Sequence, residues 1–418
     1  MRKDMTIHGE VRTTQMNLPS EPYVPNSKIG TPLRSVCIVV SSPLTLRCFL
    51  LDHIGALSRI YRLTCIANCD DEKWLQHRGI DVPLLDFRIE REPSPVYDLK
   101  ALWALVRYFR SNQFDVVHSV TPKAGLLAMT AATFARVPVR IHTFTGQVWA
   151  NRSGLQRTLL KAFDTWLAAM ATHILVDSES QRAFLLREGV FGVGKSRVLG
   201  HGSISGVDIE RFRPDEQRRA EVRLSHNVPA SAVAFLYLGR LKRDKGVLDL
   251  ALAFSQFARV HEEAYLFIVG TDEDSLEAQI RQVCGNCSSR IRFSGFTDNP
   301  EIWLAASDVL CLPSYREGFG SAIIDAAAVG LPALGSRIYG ITDAIVEGVT
   351  GLLHNPGDVN ELAAKMRILV EDGGLRKILG SAARERAHRN FTKQSVIAAL
   401  LEFYAQTLGT DGSPMLEV

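Results

Sequence analysis

The sequence predicts an α/β protein with two doubly wound domains, each built on a parallel β-sheet that is covered by helices on both faces. The chain has 418 residues, which is more than one ordinary domain holds. Short apolar runs alternate with helical patterns, and this alternation occurs in two separate series. Because hydrophobic residues make up 46% of the chain, we expect a sizeable core.

The first series of predicted strands lies in the N-terminal half. Its members are Arg34–Ser42, Tyr61–Ala67, Phe114–Val120, Val137–Gly146 and Thr172–Ser178. Turn residues bound these runs, so we expect an N-terminal domain over residues 33–205. The polar residues 1–32 have no apolar stretch, which argues against a secretory signal and predicts a disordered arm.

The second series predicts a C-terminal domain over residues 206–390. Its strands are Val233–Gly239, Ala264–Gly270, Arg290–Gly295, Asp308–Ser314 and Leu331–Ser336. The joint is expected within Gly200–Ala220, which is rich in Gly, Ser and charge. Residues 391–410 contain an amphipathic helical pattern at Thr392–Leu408, and we expect this helix to pack back on the N-terminal domain.

Composition narrows the class of protein. No run approaches the roughly 20 apolar residues that span a bilayer, and seven scattered cysteines suit reduced thiols in the cytosol. The first 200 residues carry 25 Lys and Arg against 17 Asp and Glu. This excess suits an anionic partner such as a lipid surface or a diphosphate, with ordinary surface scatter as an equal alternative. Nucleic acid is not expected, because interleaved aromatic residues are lacking.

Three short motifs lose their usual meaning in context. GVFGVGKS at Gly189–Ser196 has the spacing of a phosphate-binding loop, but a helical pattern precedes it and a short strand follows. This order is the reverse of what phosphate binding requires, so Lys195 is expected to be a solvated loop residue. Asp272–Asp274 is expected to cap a helix. Cys284 and Cys287 are expected to be a reduced pair at the surface.

The segment Pro313–Pro332 holds the first candidate site residues. A predicted strand is followed by a polar loop with Glu317 and a Gly-Phe-Gly turn, and then by a helix from Ser321. Ligands of doubly wound sheets bind at the carboxyl ends of the strands. Carboxylates such as Glu317 and Asp325 accept hydrogen bonds from the vicinal hydroxyls of a sugar or ribose. A helix-capping Glu and a surface Asp are the alternative.

The segment Tyr237–Phe254 holds the second candidate group. A predicted strand ends at Gly239, Arg240 and Lys245 follow, and a helix is predicted from about Gly246. Two cations beside a helix N-terminus suit a diphosphate, although a basic surface loop is the alternative. Together the two segments place cations and carboxylates at one edge of a sheet, which predicts a nucleotide-sugar site.

The same segments resemble a known family. The Glu-x7-acid element, the Gly-Arg-Leu-x4-Lys-Gly element and GVTGLLHNPGD resemble the retaining glycosyltransferases of family four, which have the GT-B fold. HSVTPKAGLLAMTAATFARVPVRIHTFTGQVW and VLGHGSISGVDIERF resemble a subgroup that extends lipid-linked sugars in capsule, O-antigen and exopolysaccharide assembly. The resemblance covers about Arg34–Leu408. It implies two Rossmann-like domains that face a central cleft, the first for the acceptor and the second for the donor.

The resemblance implies catalytic roles for three residues. Arg240 and Lys245 would neutralise the donor diphosphate as it leaves, without a metal or other cofactor. Glu317 would hold hydroxyls of the donor sugar. In such retaining enzymes the leaving diphosphate accepts the proton of the acceptor, so no protein nucleophile is expected.

Further donor contacts are implied for the backbone and for one carboxylate. Asp325 would bind the ribose hydroxyls, and Gly295 and Phe296 would meet the base. The backbone groups that assist Glu317 would be those of Gly318, Phe319 and Gly320.

The sequence departs from the family pattern at two positions. The family usually has Glu where this chain has Asp325, which shortens the reach to the ribose. Many relatives have His where this chain has Thr145, with His142 nearby. Thr145, His142 and His118 are therefore candidate contacts for acceptor or donor, and structural histidines at strand ends are the alternative.

The predicted helix Asn151–His173 bears on membrane contact. An apolar stripe and several basic residues would let it rest on an anionic membrane. We favour a core helix with a solvated side for most of its apolar face. The stripe consists of Leu155, Leu159, Phe163, Trp166 and Met170.

We therefore expect a cytoplasmic retaining hexosyltransferase, peripheral on the inner face of the cytoplasmic membrane. Its donor would be a nucleotide sugar, most simply a UDP-sugar, and its acceptor a polyprenyl-diphosphate-linked sugar. Two alternatives stay open. One is a catalytically inactive sugar-nucleotide-binding partner subunit, and the other is a GT-B enzyme such as a nucleotide-sugar epimerase or one that uses phosphate.

Overall fold

The computed structural model describes residues 33–90 and 94–409, and the arm predicted over residues 1–32 lies outside them. The N-terminal domain contains a seven-stranded parallel sheet. Its strands are β1 Ser35–Val39, β2 Arg62–Ala67, β3 Leu84–Asp86, β4 Val116–Val120, β5 Val139–Phe144, β6 His173–Val176 and β7 Ser196–Val198. Their order in the sheet is β3-β2-β1-β4-β5-β6-β7, so the chain changes direction of travel between β1 and β4.

Helices cover both faces of this first sheet. A π-helical segment at Leu46–Leu50 links the first two of them. The helices are α1 Pro43–Thr45, α2 Leu51–Ser58, α3 Pro95–Asn112, α4 Pro122–Phe134, α5 Gly154–Met170 and α6 Glu179–Arg187.

The C-terminal domain contains a six-stranded parallel sheet with the order β10-β9-β8-β11-β12-β13. Its strands are β8 Val233–Leu238, β9 Ala264–Val269, β10 Ile291–Gly295, β11 Val309–Leu312, β12 Ala333–Ser336 and β13 Gly351–His354. The helices are α7 Glu216–Ser225, α8 Val247–Phe257, α9 Glu277–Cys284, α10 Pro300–Ala306, α11 Ser321–Val329, α12 Ile341–Ala344, α13 Val359–Glu371, α14 Gly373–Asn390 and α15 Lys393–Leu408.

The burial of the strands explains why short apolar runs in the sequence predicted their positions. In β1, β4 and β11 every residue is buried, as expected of parallel strands with helices on both faces. All ten predicted strands are present, with ends trimmed by up to three residues. The short strands β3 and β13 were missed, because three or four residues between Pro or Gly give no periodic signal.

The C-terminal helix α15 packs on the N-terminal domain. Leu400 and Tyr404 join the buried cluster that also contains Ile54 of α2. The Tyr404 hydroxyl and His118 Nδ1 are 2.8 Å apart, which ties the end of the chain to β4. The last helix therefore returns to the first domain after the second is complete.

The structure confirms that Gly189–Ser196 is not a phosphate-binding loop, but it corrects the prediction for Lys195 within that segment. Helix α6 precedes Gly189–Ser196 and β7 follows it, so the motif is not a phosphate-binding loop. Lys195 is not freely solvated as we expected. Its Nζ donates to the carbonyl of Ala169 at 3.3 Å, and partial burial lowers its pKa.

Two further predictions have opposite outcomes. Asp272 caps a helix as expected, because its carboxylate accepts from the amides of Leu276 and Glu277 at 2.8 and 2.9 Å. Cys284 and Cys287 are not at the surface. Both side chains are buried in a core cluster under α8, so the prediction of an exposed pair was wrong.

The expectation of a core position for most of the apolar stripe of α5 is also wrong. Leu155 is 89% exposed and Leu159 58%, because the side of α5 that packs on the sheet carries Leu167 and Ala168 instead. Phe163 and Trp166 are exposed as well, and only Met170 packs against the core. Within residues 33–90 and 94–409, helices are too short or too polar to cross a membrane.

Candidate active site

The candidate residues Arg240, Lys245 and Glu317 follow β8 and β11, which are neighbours in the sheet, and β9 lies on the other side of β8. Two glycines let the loops after these strands touch. A Cβ on Gly246, whose φ is +68°, would lie 2.0 Å from the carbonyl oxygen of Pro313. A Cβ on Gly270 would lie 1.9 Å from the carbonyl oxygen of Gly239. Neither position accepts a larger residue without a backbone shift, so the glycines bring the loops after these strands into contact.

Lys245 and Glu317 form the centre of this site. The ammonium of Lys245 is 2.7 Å from Glu317 Oε1, and both side chains are mostly buried. Ser314 Oγ donates to the same carboxylate oxygen at 2.8 Å, and Lys245 also donates to the carbonyl of Arg316 at 3.3 Å. The carboxylate of Glu317 is thus held in one place by a cation and a hydroxyl.

Arg240 lies at the end of the neighbouring strand and has a carboxylate partner that we did not predict. Its guanidinium is 3.1 Å from Glu273, which also binds Lys242 at 3.2 Å. Glu273 belongs to the Asp-Glu-Asp run after β9, which we had considered only as a helix cap. Arg240 and Lys242 thus share one carboxylate, and Lys242 also lies 3.8 Å from Asp274. A diphosphate could exchange with Glu273 as the partner of these cations.

The Gly-Phe-Gly turn supplies backbone groups. Gly320 has φ +74° and starts helix α11. Among the described residues, none accepts a hydrogen bond from the amides of Gly318, Phe319 and Gly320. The Phe319 side chain is buried and packs on Phe391 at 5.3 Å between ring centroids. Only its backbone can therefore serve a ligand.

Asp325 lies on α11 beside a second group of charges. Burial raises the pKa of its carboxyl group to about 7, and Arg211 opposes that rise. Arg211 donates to the carbonyl of Asp298 at 2.6 Å. Asp298 follows Gly295 and Phe296 in the loop after β10, and the Phe296 side chain is exposed. The structure thus places Asp325 and this loop around the same arginine.

The histidines of the N-terminal domain do not reach the cleft, so their proposed ligand contacts need correction. His118 is buried between Tyr404 and Thr143, each 2.8 Å away, and burial lowers its pKa to about 3. His142 is 1% exposed, and its Nδ1 bonds Ser119 at 2.8 Å. Because α4 and α15 cover these strand residues, both histidines have the structural role that we kept as the alternative.

Thr145, in contrast, lies where the two domains meet. It precedes Gly146, and a Cβ on Gly146 would lie 3.2 Å from the amide nitrogen of Gly318. Asp177, at the end of β6, lies at the same place and is buried, which raises the pKa of its carboxyl group to about 8. Sequence reasoning missed Asp177, because nothing in the strand VDS indicates which residues face the other domain.

The domains also meet on the opposite side of the cleft. Arg47, in the π-helical segment, is 3.1 Å from Asp298 of the C-terminal domain. No group of three or more His, Cys, Asp or Glu side chains within the described part of the chain is arranged to hold a metal ion.

Two family models match the chain. The model described as "Glycosyl transferases group 1" matches residues 219–386, which include the Lys245–Glu317 pair. The model described as "Glycosyl transferase 4-like domain" matches residues 57–199 of the N-terminal domain.

Three curated relatives of the chain are named as a glycosyltransferase, a glycogen synthase and a galactosyltransferase. The capsular polysaccharide biosynthesis glycosyltransferase CapM of Staphylococcus aureus is 28% identical, over 76% of this chain and 83% of its own length. The glycogen synthase of Mycobacterium tuberculosis is 32% identical, over 71% and 69%. The Escherichia coli UDP-Gal:alpha-D-GlcNAc-diphosphoundecaprenol alpha-1,3-galactosyltransferase is 25% identical, over 75% and 81%.

A solved structure has the same fold. Anabaena Alr3699/HepE, crystallised with UDP and glucose, superposes with a TM-score of 0.75 at 19% sequence identity. The match covers 89% of this chain and 100% of that one. The arrangement of two Rossmann-like domains around a cleft is therefore the GT-B fold.

Proposed function

The chain belongs to the glycosyltransferases of the GT-B fold, and on this premise we propose that it is a retaining hexosyltransferase that acts on a lipid-linked glycan. The donor is a nucleotide sugar, most simply a UDP-sugar, and the product serves the assembly of a surface polysaccharide. The chemistry takes place at the carboxyl ends of β8 and β11, with the acceptor entering from the N-terminal domain.

The observation that carries this proposal is the contact between Lys245 and Glu317 beside Arg240. Cations at the leaving diphosphate stabilise the charge that develops as the glycosidic bond breaks. The ammonium of Lys245, 2.7 Å from Glu317, supplies such a charge next to a carboxylate that accepts from sugar hydroxyls. Arg240, turned from Glu273 towards a bound diphosphate, adds a second cation.

The proposed reaction needs no nucleophile or metal from the protein. The bond between the sugar C1 and the diphosphate oxygen breaks, and the acceptor oxygen bonds to C1 on the same face. The acceptor hydroxyl proton passes to the departing diphosphate oxygen. Lys245 and Arg240 balance the negative charge that the diphosphate gains.

UDP is proposed as the nucleotide because of one relative, and two side chains of this chain support a nucleotide in general. The E. coli relative uses UDP-Gal by name. In this chain, the exposed ring of Phe296 and the carboxyl group of Asp325 offer an apolar surface and an acceptor for ribose hydroxyls around Arg211. The Asp in place of the usual Glu is expected to weaken ribose binding without abolishing it.

The lipid-linked acceptor is inferred from the surface of the N-terminal domain. Leu155 and Leu159 of α5 are exposed, and so are Leu99 and Trp103 of α3. Exposed apolar side chains on a basic domain are typical of peripheral binding to an anionic membrane. Helix α5 starts shortly after β5 ends at the cleft, so this surface adjoins the cleft. We therefore place the protein on the cytoplasmic face of a membrane, where polyprenyl-diphosphate-linked sugars are present.

A donor and acceptor screen tests the proposed function. Purified protein is incubated with radiolabelled nucleotide sugars and with membranes or synthetic polyprenyl-diphosphate sugars, and lipid products are separated by chromatography. We expect transfer from one UDP-hexose that depends on the lipid acceptor. NMR spectra of the product should show that the transferred sugar keeps the anomeric configuration that it had in the donor. An inverted anomeric configuration in the product, or no transfer from any donor, would contradict the proposal.

A further inference from the structure

The loop that carries Glu317 is held by the N-terminal domain as well as by its own. Ser178 Oγ donates to the carbonyl oxygen of Gly318 at 3.0 Å. Ser178 is also the N-cap of α6, where the same oxygen accepts from the amide of Gln181 at 3.2 Å. One buried hydroxyl therefore links the first turn of an N-terminal-domain helix to the peptide next to Glu317.

The packing around this hydrogen bond leaves no room for side chains. A Cβ on Gly318 would lie 2.6 Å from Asp177 Oδ2 and 2.9 Å from the carbonyl carbon of Thr145. On the other side of the loop, a Cβ on Gly340 would lie 2.6 Å from the carbonyl oxygen of Gly318. The Glu317–Gly318 peptide is thus enclosed between the N-terminal domain and the turn before α12.

That turn is attached to the same helix by a second serine. The amide of Ser180 donates to Asp343 Oδ1 at 3.2 Å, and its hydroxyl donates to Oδ2. The hydroxyl also accepts from the amide of Gly340 at 2.8 Å. The carboxylate of Asp343 therefore lies at the N-terminus of α6, where the helix dipole favours negative charge.

We propose that Ser178 and Ser180 are positioning residues for glycosyl transfer, supplied by the N-terminal domain to the loop that carries the donor-sugar carboxylate. The inference rests on the role of Glu317 in the proposed function. Ser178 fixes the peptide that follows Glu317, and Ser180 fixes the Gly340 turn behind it. The domain that receives the acceptor thereby sets where the donor sugar is held.

This proposal predicts a specific kinetic signature. A shift of about 1 Å in a positioning group can lower a rate up to about 100-fold, although the ligand still binds. In the proposed function Arg240 and Lys245 hold the nucleotide diphosphate. Lys245 bonds the loop at Arg316 and Glu317, and not at Gly318, where Ser178 bonds it. Loss of the Ser178 contact should therefore lower kcat and leave the affinity for UDP unchanged.

The test separates the positioning role of Ser178 from its role as a helix cap. Ser178→Gly leaves a residue that N-cap positions accept at little cost but removes the group that donates to Gly318, and Ser178→Thr keeps both functions. We expect Ser178→Gly and Ser178→Ala to lower kcat about tenfold, with the Kd of UDP measured by calorimetry within twofold of wild type. Ser178→Thr should restore kcat. Ser225→Ala, whose hydroxyl bonds within α7, is the matched control.

Several outcomes would overturn the inference. Wild-type kcat in folded Ser178→Gly protein, or a loss of UDP affinity as large as the loss of kcat, would each do so. If Ser178→Gly does not fold, Ser180→Ala decides, because it keeps the amide contact to Asp343 and loses the hydroxyl contacts to Asp343 and Gly340. An active enzyme that needs Glu317 but tolerates these changes would refute this inference alone. Wild-type protein without transferase activity would refute the proposed function instead.

Discussion

The two domains share one architecture but present different groups to the cleft. In the C-terminal domain, the loops after β8 and β11 bring Lys245 and Glu317 into contact at 2.7 Å. In the N-terminal domain, the corresponding strand ends carry hydroxyl groups such as Ser41 and Thr121, which lie 3.0 Å apart. Two parallel sheets of the same topology thus support two kinds of chemistry, because the residues that follow the strands differ and the strands do not.

The outer surfaces differ in the same way. On the N-terminal domain, α3 and α5 each expose several large apolar side chains. On the C-terminal domain, such side chains are spread over several helices and loops, with Leu224, Val260 and Ile378 among them, and charged groups pair near the cleft. Under the proposed function, this contrast would correspond to a division of labour between a lipid-facing acceptor domain and a diphosphate-binding donor domain. Four sets of variants test this division of labour.

The largest loss of activity is expected from Glu317→Ala and Lys245→Ala. Each removes one partner of a mostly buried ion pair at the reacting centre, and we expect kcat to fall by about 10² to 10³-fold. Initial rates of hexose transfer check this prediction, with Lys377→Ala on the exposed surface of α14 as the control. Activity near the wild-type level in either variant would show that the altered residue is not needed for the transfer reaction.

A smaller loss is expected from Arg240→Ala. Its guanidinium is one of two cations on Glu273, so removing it leaves Lys242 and Lys245 near the diphosphate. We expect kcat/KM for the donor to fall by about 10- to 100-fold. Glu273→Gln, which releases both cations, should lower donor KM. An increase in donor KM for Glu273→Gln would show that the carboxylate orients Arg240 for binding.

A several-fold effect on membrane binding is expected from the double variant Leu155→Ser and Leu159→Ser. Both side chains are exposed on α5, so their removal should not unfold the domain. Sedimentation with vesicles of anionic phospholipid should show weaker binding, and transfer to a water-soluble acceptor analogue should be unchanged. Leu224→Ser, an exposed leucine on the C-terminal domain, is the control. If the wild type, the double variant and Leu224→Ser bind vesicles equally, the exposed leucines of α5 do not contribute to membrane binding.

The smallest effect concerns stability at the domain boundary. Burial raises the pKa of Asp177 from about 3.8 to about 8, so the folded protein holds a proton that the unfolded chain releases. The wild type therefore loses stability as pH rises from about 4 to 8. Asp177→Asn removes this loss and should raise the thermal midpoint by about 2 to 4 °C at pH 8, with the difference shrinking towards pH 4. A difference that does not change with pH would place the ionised form of Asp177 in the folded protein.

The sequence predicted the positions of the candidate site residues better in the C-terminal domain than in the N-terminal domain, and the reason is physical. Glu317, Arg240 and Lys245 directly follow buried strands, and parallel strands bring such residues to one edge. The polar residues within strands β4 and β5 gave no such guide. His118 and His142 lie inside the sheet layer, where α15 and α4 cover them, and no local pattern reports what a distant helix will cover.

Contacts between the domains could not be predicted. Ser178 looked like an ordinary helix cap, and its bond to Gly318 joins residues that are 140 positions apart. The exposed stripe of α5 was misassigned because amphipathic periodicity identifies an apolar face but not whether the protein or a lipid covers it. Local signals therefore located the charged site, and only the assembled structure shows how the first domain holds it.

Calorimetric titration with UDP and with uridine tests whether the cations after β8 bind a diphosphate, because the two ligands differ only in that group. If Arg240 and Lys245 bind that diphosphate, wild-type protein will bind UDP at least about tenfold more tightly than uridine, and Lys245→Ala will lose most of this difference. Equal affinity for the two ligands, or a preference for UDP that survives in Lys245→Ala and in Arg240→Ala, would contradict the account.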